Sequence, residues 1–228
     1  MAQMLTTAPI SFGSSYTRAI ELYKRYMPVL LTSALVVNLP SVVMSMMAHA
    51  AKHSLLLGLA LLPIDVVFPF LMLFLWVGLQ RLILNLSDGE GGDWQGVFSA
   101  GPYFLSSLGA GILMMVLVGI GTILLVIPGL YVAYRLSMTF FLIIDRRLGA
   151  VEALKQSWAM TQGRVVQLVL LTLPGGVCAL VNLALMPLGA LGAIVVAAVG
   201  AVAGPFIWLA YVQAYRQLAG GPQDAMAA

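Results

Sequence analysis

Long apolar blocks separated by short polar intervals are the strongest constraint on how this sequence folds. The longest block runs from Leu55 to Leu86 and carries only Asp65 and Arg81 as charged residues. Of the 228 residues, 61% are hydrophobic and 8% are charged, whereas a soluble domain carries about 25% charged residues. So few charges cannot cover a water-exposed surface. The sequence therefore predicts that lipid surrounds most of the chain.

The apolar blocks divide into six predicted membrane-spanning helices, because each span needs about 20 apolar residues. The predicted fold class is an all-α membrane protein with a single polytopic domain over residues 1–228. The six predicted spans cover residues 29–47, 64–82, 104–127, 130–144, 165–186 and 190–212.

Prolines divide these blocks further, because a proline inside a helix removes a hydrogen bond and clashes with the preceding turn. Pro63 and Pro69 lead us to interpret residues 55–62 as an interfacial or re-entrant segment that precedes the second span. Pro128-Gly129 is predicted to form a tight turn between the third and fourth spans. A second tight turn is predicted at residues 187–189, between the fifth and sixth spans.

A short amphipathic helix is predicted before each pair of spans. These helices begin near Tyr16, Trp94 and Val151, and they give three pseudo-repeats of roughly residues 14–86, 93–144 and 148–216. Helical spacing places apolar side chains on one face of each helix. The three faces are Tyr16, Ile20, Tyr23 and Met27; Trp94, Val97 and Phe98; and Leu148, Val151, Leu154 and Trp158. The predicted architecture is three hairpins, each preceded by a helix in the headgroup region.

The basic residues orient this arrangement in the membrane. Nine of them fall on the side of the two termini: Arg18, Lys24, Arg25, Arg81, Arg146, Arg147, Lys155, Arg164 and Arg216. Only Lys52 falls in a loop on the other side. Because cytoplasmic loops carry the excess of Lys and Arg, both termini are predicted to be cytoplasmic. The predicted location is the cytoplasmic (inner) membrane of a bacterium.

Asp65 and Arg135 are charged residues inside predicted spans, where charges are costly and usually face a partner or a cavity. Three interpretations remain open. The two side chains form a buried ion pair that fixes helix packing, each one extends separately towards water, or they line a path for a substrate, proton or headgroup. We treat Asp65 and Arg135 as a candidate intramembrane pair.

The amphipathic helices have two interpretations. They are membrane-surface connectors anchored by aromatic side chains, or they form a basic cytoplasmic rim that binds anionic lipid headgroups or a protein partner. The candidate contacts are Lys24, Arg25, Arg146, Arg147, Lys155, Trp158 and Arg164. The expected partners are membrane lipids and either another membrane protein or a second copy of the chain. Nucleic acid is not expected to bind.

The sequence contains no motif of a catalytic, cofactor or metal site. His49 and His53 are four residues apart, but no carboxylate or cysteine accompanies them. Cys178, the single cysteine, lies in an apolar run. We therefore expect no catalytic residue, no cofactor and no metal.

One stretch resembles a known group of proteins. From Ile127 the sequence reads IPGLYVAYRLSMTFFLIIDRRLGAVEALKQSWAMTQGR. The shared pattern consists of Pro128, Gly129, Arg135, Ser137, Asp145, Ala153, Leu154, Ser157, Trp158, Gly163 and Arg164. It resembles uncharacterised bacterial multi-pass families that are similar to the membrane domain of some glycerophosphoryl diester phosphodiesterases. The resemblance covers about a sixth of the chain and implies a polytopic helical bundle in the cytoplasmic membrane. It implies no phosphodiesterase chemistry.

Two functions follow as hypotheses. The first is a non-enzymatic integral membrane protein that binds lipids or another membrane protein as an accessory or envelope factor. The alternative is a transporter or lipid-translocating protein with a site around Asp65 and Arg135. A membrane-embedded enzyme is the weakest hypothesis, because the sequence offers no paired catalytic groups.

Overall fold

The protein is helical throughout the part that the computed structural model describes, which is residues 12–51, 54–185 and 189–220. Six helices are long and apolar enough to cross a membrane, which is compatible with a multi-pass membrane protein. The elements are α1 (Phe12–Ala51), α2 (Leu55–Asp88), a 3-10 helix (Trp94–Ala100), α3 (Gly101–Leu124), α4 (Val126–Arg135), α5 (Thr139–Arg146), α6 (Ala150–Met160), α7 (Val165–Leu185) and α8 (Gly189–Ala219).

Helix α1 contains both the first predicted amphipathic segment and the first predicted span. Its backbone leaves helical geometry at Tyr26, where φ is −111° and ψ is 19°. The break lies two residues before Pro28, whose nitrogen has no hydrogen to donate to the carbonyl of Lys24. Pro28 therefore separates the two segments, while Pro40 lies inside the helix that follows.

Helix α2 corrects the predicted division of the second apolar block. It is one continuous helix from Leu55 to Asp88 and contains both Pro63 and Pro69. The segment 55–62 is thus the first part of a long helix and not a separate re-entrant element. A proline removes one hydrogen bond, and the other bonds of a 34-residue helix carry the chain through it.

The 3-10 helix packs closely on α2 and leads directly into α3. A Cβ added to Gly78 would lie 1.7 Å from the carbonyl oxygen of Val97, so only glycine permits this approach. Val97 is fully buried, whereas Trp94 and Phe98 are exposed and form an edge-to-face pair. The prediction that all three share one face is therefore wrong, because Val97 turns towards α2.

The fourth span is broken into two helices. Helix α4 ends at Arg135 and α5 begins at Thr139, whereas the sequence predicted one short helix over residues 130–144. The turn between the third and fourth spans also lies earlier than predicted, since Leu125 separates α3 from α4 and Pro128 lies in the first turn of α4. Gly129 is needed for packing there, since a Cβ on it would lie 2.2 Å from Oγ1 of Thr122 on α3.

Consecutive spanning helices contact each other in the pairs α1–α2, α3–α4 and α7–α8, and α1 also packs along α8. The second predicted tight turn lies outside the described residues, which omit 186–188. Lys52 and His53, between α1 and α2, also lie outside them.

The buried side chains are concentrated in one half of the bundle, which we call the compact end. Here the start of α1 and the ends of α2, α5 and α8 meet. The largest fully buried side chains include Leu30, Ile83, Leu86, Val97, Met138, Phe141, Leu142, Ile143, Leu168, Leu209 and Tyr215. The remaining lengths of the spanning helices expose large apolar side chains such as Leu39, Val66 and Ile123. Such surfaces are suited to contact with lipid tails.

Gly78→Ala should lower the free energy of unfolding by about 1–3 kcal/mol, because the added methyl group overlaps the backbone of Val97. Thermal unfolding in a mild detergent measures this loss. Gly111→Ala is the matched control, since nothing lies within 4 Å of the position of its Cβ. Equal stability of the two variants would contradict the close contact between α2 and the 3-10 helix.

Candidate functional site

The break between α4 and α5 is closed by two hydroxyl groups from α6. The carbonyl oxygen of Arg135 accepts hydrogen bonds from Oγ of Ser157 and Oγ1 of Thr161, both at 2.9 Å. The amide of Met138 donates to Oγ of Ser157 at 3.2 Å. Lipid cannot satisfy the backbone groups that a break exposes, so side chains must do so. Helix α6 therefore stabilises the interruption of the fourth span.

The guanidinium of Arg135 lies beside the same helix. It is the only charged side chain among residues 12–51, 54–185 and 189–220 that is almost fully enclosed, at 3% exposure. Its carbon Cζ lies 4.4 Å from the ring centre of Trp158 and 5.9 Å from that of Tyr131. Nε and Nη1 are buried and have no hydrogen-bond partner. The aromatic faces attract the cation, but they do not accept its N–H groups in the way that an oxygen does.

Other arginines of the bundle show how such a group is usually satisfied. Arg81 lies 5.2 Å from the ring centre of Tyr103 and also donates to the carbonyl oxygen of Ser99 at 2.9 Å. Arg146 donates to the carbonyl oxygen of Ala219 at 3.1 Å. Arg135 also contacts aromatic rings, but no oxygen accepts a hydrogen bond from its Nε or Nη1.

Asp65 and Arg135 do not form an ion pair. Asp65 is an exposed residue of α2, and Arg216 with Asp88 and Asp145 forms ion pairs that include neither Asp65 nor Arg135. The prediction that Asp65 and Arg135 lie close together assumed that the fourth span is one unbroken helix. Because α4 ends at Arg135, the side chain turns towards α6 instead.

The ion pairs lie at the compact end, where Arg216 joins the ends of three helices. Its Nη1 donates to Oδ1 of Asp145 at 2.8 Å, and its Nη2 donates to Oδ2 of Asp88. The hydroxyl of Tyr215 donates to the other oxygen of Asp145 at 2.6 Å. This cluster ties α8 to α2 and α5. No local pattern indicates this cluster, because Arg216 is 71 residues from one carboxylate and 128 from the other.

The basic side chains that were predicted to form the cytoplasmic rim lie on several different elements. Lys24 and Arg25 are exposed on the first part of α1, and Arg146, Arg147 and Lys155 are exposed on α5, the following turn and α6. Arg147 adopts the left-handed conformation, with φ of 52°, where the chain leaves α5. Arg164, the last basic residue of the predicted rim, is partly buried at the start of α7.

The buried face of α6 differs from the predicted apolar face. Its buried residues are Ala153, Leu154, Ser157 and Met160. Only Leu154 belongs to the predicted face, and Val151 and Trp158 are 46% and 41% exposed. The prediction placed the apolar face against the membrane, and the exposure of Val151 and Trp158 is compatible with this placement. In a lipid environment the apolar face can point outwards, and small and hydroxyl side chains can pack inwards.

The residues that carry the sequence resemblance converge on the same region. Arg135 and Ser157 meet at the break, Ala153 is fully buried, and Asp145 binds Arg216. Gly163 has a φ of 74°, a conformation that favours glycine, in the turn between α6 and α7. The unit from α4 to α6 is therefore the candidate functional site.

Concave regions also lie elsewhere in the described part of the chain. A polar pocket of about 250 Å³ at the compact end is lined by Ser14, Thr17, Arg18, Glu21, Gln213 and Gln217. A mostly apolar cleft of about 400 Å³ lies between α1, α2 and α5, beside Asn38 and Trp76. Within the part of the chain that the structure covers, no group of three or more His, Cys, Asp or Glu residues is arranged to hold a metal ion.

Comparison of the chain with protein-family models, with curated proteins and with solved structures found no match.

Ser157→Ala should lower the free energy of unfolding by about 1–3 kcal/mol, because it leaves the Met138 amide without its acceptor. Ser33→Ala is the matched control. Both serines are fully buried, but the Ser33 hydroxyl bonds only to Val29 of its own helix. Denaturation curves in the same detergent compare the two. A loss that is no larger for Ser157→Ala would contradict the role assigned to α6.

Arg216→Gln should destabilise the protein by about 1–3 kcal/mol, because it leaves two partly buried carboxylates without their shared cation. Adding Asp88→Asn and Asp145→Asn to the same chain should recover part of the loss. The midpoint of thermal unfolding reports both effects. If the neutral triple variant is no more stable than Arg216→Gln, the carboxylates are not the source of the cost.

Proposed function

We propose that this chain is a non-enzymatic integral protein of the bacterial cytoplasmic membrane that binds anionic lipid headgroups, as an accessory or envelope factor. In this proposal the six apolar helices form three hairpins, and both termini lie in the cytoplasm. Another membrane protein or a second copy of the chain is a further partner of the same basic surface. The resemblance to the membrane domain of glycerophosphoryl diester phosphodiesterases remains part of the proposal.

The distribution of charge at the compact end carries the proposal. Arg216 pairs with Asp88 and Asp145. The basic side chains of Arg147 and Lys155 stay exposed beside them on the α5–α6 unit. Asp88 and Asp145 are thus neutralised within the protein, while Arg147 and Lys155 face outwards together with a single acidic residue of α6, Glu152. A surface of this kind attracts an anionic membrane.

The rim also has a fixed position relative to the spanning helices. Helix α6 is held to the break in the fourth span by Ser157 and Thr161, and α5 is held to α8 through Asp145. A flexible loop would lose conformational entropy on binding lipid. Arg147 and Lys155 avoid most of this cost, because their backbone is already ordered.

A second candidate function, lipid translocation, is supported by the interruption of the fourth span. Discontinuous helices with a charged side chain near the break are the usual way in which transporters build a site inside a membrane. Arg135 is enclosed at such a break. This candidate uses Arg135 alone, because Asp65 is not its partner.

Changing Arg147 and Lys155 together to Gln should weaken the enrichment of anionic lipid around the protein. Each basic group near an anionic surface contributes about 1 kcal/mol, which corresponds to about five-fold in relative affinity. The measurement is the ratio of phosphatidylglycerol to phosphatidylcholine that co-purifies from vesicles containing both lipids. Glu21→Gln is the control for a change of charge elsewhere on the surface. An unchanged lipid ratio in the double variant would exclude this rim as the lipid-binding surface.

The proposed topology predicts that Glu90 and Gln217 are both accessible from the cytoplasm. Cys178 would first be replaced by Ala, and single cysteines would then be introduced at Glu90, Gln217 or Ala51. A membrane-impermeant thiol reagent added outside intact cells should label only the cysteine at Ala51. Labelling at Glu90 or Gln217 under these conditions would overturn the orientation.

A further inference from the structure

The enclosed guanidinium of Arg135 lacks a counter-charge. An arginine side chain stays protonated in proteins, so burial does not remove its charge. Nε and Nη1 are enclosed without partners, and the carboxylates of Asp88 and Asp145 pair with Arg216 instead. A buried charge and unpaired N–H donors are both unfavourable unless an acceptor is supplied. The acceptor that this site needs is an anion with at least two oxygen atoms.

The hydroxyl groups nearest the break are already used. Ser157 and Thr161 donate to the carbonyl of Arg135, and Thr139 donates to the carbonyl of Leu136. Tyr134 shares its hydrogen bond with Thr172 on α7. Turning one of these groups towards the guanidinium would leave another polar group without its bond. The missing acceptor therefore has to come from outside the protein.

We propose that Arg135 binds the phosphate of an anionic phospholipid at the break between α4 and α5. This inference rests on the proposed lipid-binding function and names a second, deeper contact for the same class of ligand. A guanidinium matches phosphate oxygens with two parallel N–H donors, which an ammonium group cannot do. One edge of the guanidinium carries the Nε–H beside an N–H of Nη2, and the end carries N–H groups of Nη1 and Nη2. A phosphate on either edge therefore accepts from one of the two buried nitrogens, Nε or Nη1, together with Nη2.

Trp158 is the movable cover of this site. Its ring lies over the guanidinium of Arg135, yet 41% of the side chain is exposed at the surface of the bundle. The ring also meets Tyr131 edge to face, with centroids 6.3 Å apart, and Tyr131 is 47% exposed. Outward rotation of Trp158 would open the enclosed nitrogens without disturbing the hydrogen bonds of Ser157. The phosphate then replaces the aromatic ring as the partner of the charge.

The surroundings favour a lipid over free phosphate. Val151, Leu130 and Ile127 are exposed apolar side chains of α6 and α4, on the two helices that frame Arg135. Such surfaces suit the acyl chains of the molecule whose phosphate enters the site. Lys155 lies three residues before Trp158 on α6 and is exposed, so it adds positive charge on the approach to the site.

The length of α4 places the site below the ordinary headgroup level. Ten residues of helix rise about 15 Å, which is about half of the ~30 Å hydrocarbon core. A phosphate bound at Arg135 is therefore held inside the span Val126–Arg146 and not at its end. The polar groups at the break between α4 and α5 allow a phosphate to reach this depth.

The test uses the full chain, purified in a neutral detergent and stripped of lipid. Phosphatidylglycerol, phosphatidylcholine and inorganic phosphate are added separately, and the midpoint of thermal unfolding is followed. Phosphatidylglycerol at a saturating level should raise the midpoint by about 5 °C. Inorganic phosphate at the same concentration should leave it unchanged. A shift with inorganic phosphate that depends on Arg135 would overturn the assignment to a lipid.

Arg135→Met removes the charge and keeps the length of the side chain, and Arg81→Met is the matched control. Arg81 also lies against a tyrosine ring, but its N–H has a carbonyl acceptor. The Arg135 variant should lose most of the shift with phosphatidylglycerol, while without lipid its midpoint stays at or above that of the unchanged chain. The Arg81 variant should keep the shift. If Arg135→Met keeps the full shift, the proposal is wrong.

Trp158→Leu provides a second test of the site, in which Arg135 is retained. Loss of the competing ring should lower the phosphatidylglycerol concentration for a half-maximal shift by about five-fold. An unchanged or higher concentration would contradict the role of Trp158 as a cover.

The rim variant with Gln at positions 147 and 155 separates this inference from the proposed function. If only the rim variant changes lipid selectivity, the Arg135 site fails and the proposed function stands.

Discussion

A break in a membrane-spanning helix exposes backbone groups that lipid cannot satisfy, and the α4–α5 break is where this chain has to meet that constraint. The carbonyl of Arg135 and the amide of Met138 are the exposed groups, and Ser157 and Thr161 on α6 bind them. Helix α6 is consequently bound to the interrupted fourth span, a contact that its sequence does not indicate. Its position also brings Trp158 over the guanidinium of Arg135.

A second interaction holds the same unit from the other side. Asp145, near the end of α5, binds Arg216 and Tyr215 of α8, and Arg216 also binds Asp88 of α2. The α4–α6 unit is thus fixed at its break and at its end. The buried side chains are concentrated around these two attachments, whereas the far lengths of the spanning helices remain exposed and apolar. A lipid bound at the compact end would therefore contact the part of the molecule in which most side chains are buried.

The coarse fold could be predicted from the sequence because apolar length alone identifies a span, and the structure has six suitable helices. Local detail could not be predicted where prolines were interpreted as boundaries between elements. Pro63 lies inside α2 and does not separate two elements, because the other hydrogen bonds of the helix continue through it. Within the candidate site, Arg135 was identified as an intramembrane charge, but its contact with Trp158 was missed. The contact depends on a helix break that hydropathy cannot show, and the partners of Arg216 are too distant in sequence to be recognised.

Hydrogen exchange of the whole protein in lipid nanodiscs, followed by mass spectrometry, tests most directly whether α6 belongs to the embedded fold. If it does, amides of residues 150–161 exchange slowly and open together with those of α5. The same slow, joint opening should be absent from the loop at residues 89–93. Fast exchange of α6 while α5 stays protected would show that α6 is a separate surface helix, and would contradict the stabilisation of the break by Ser157 and Thr161.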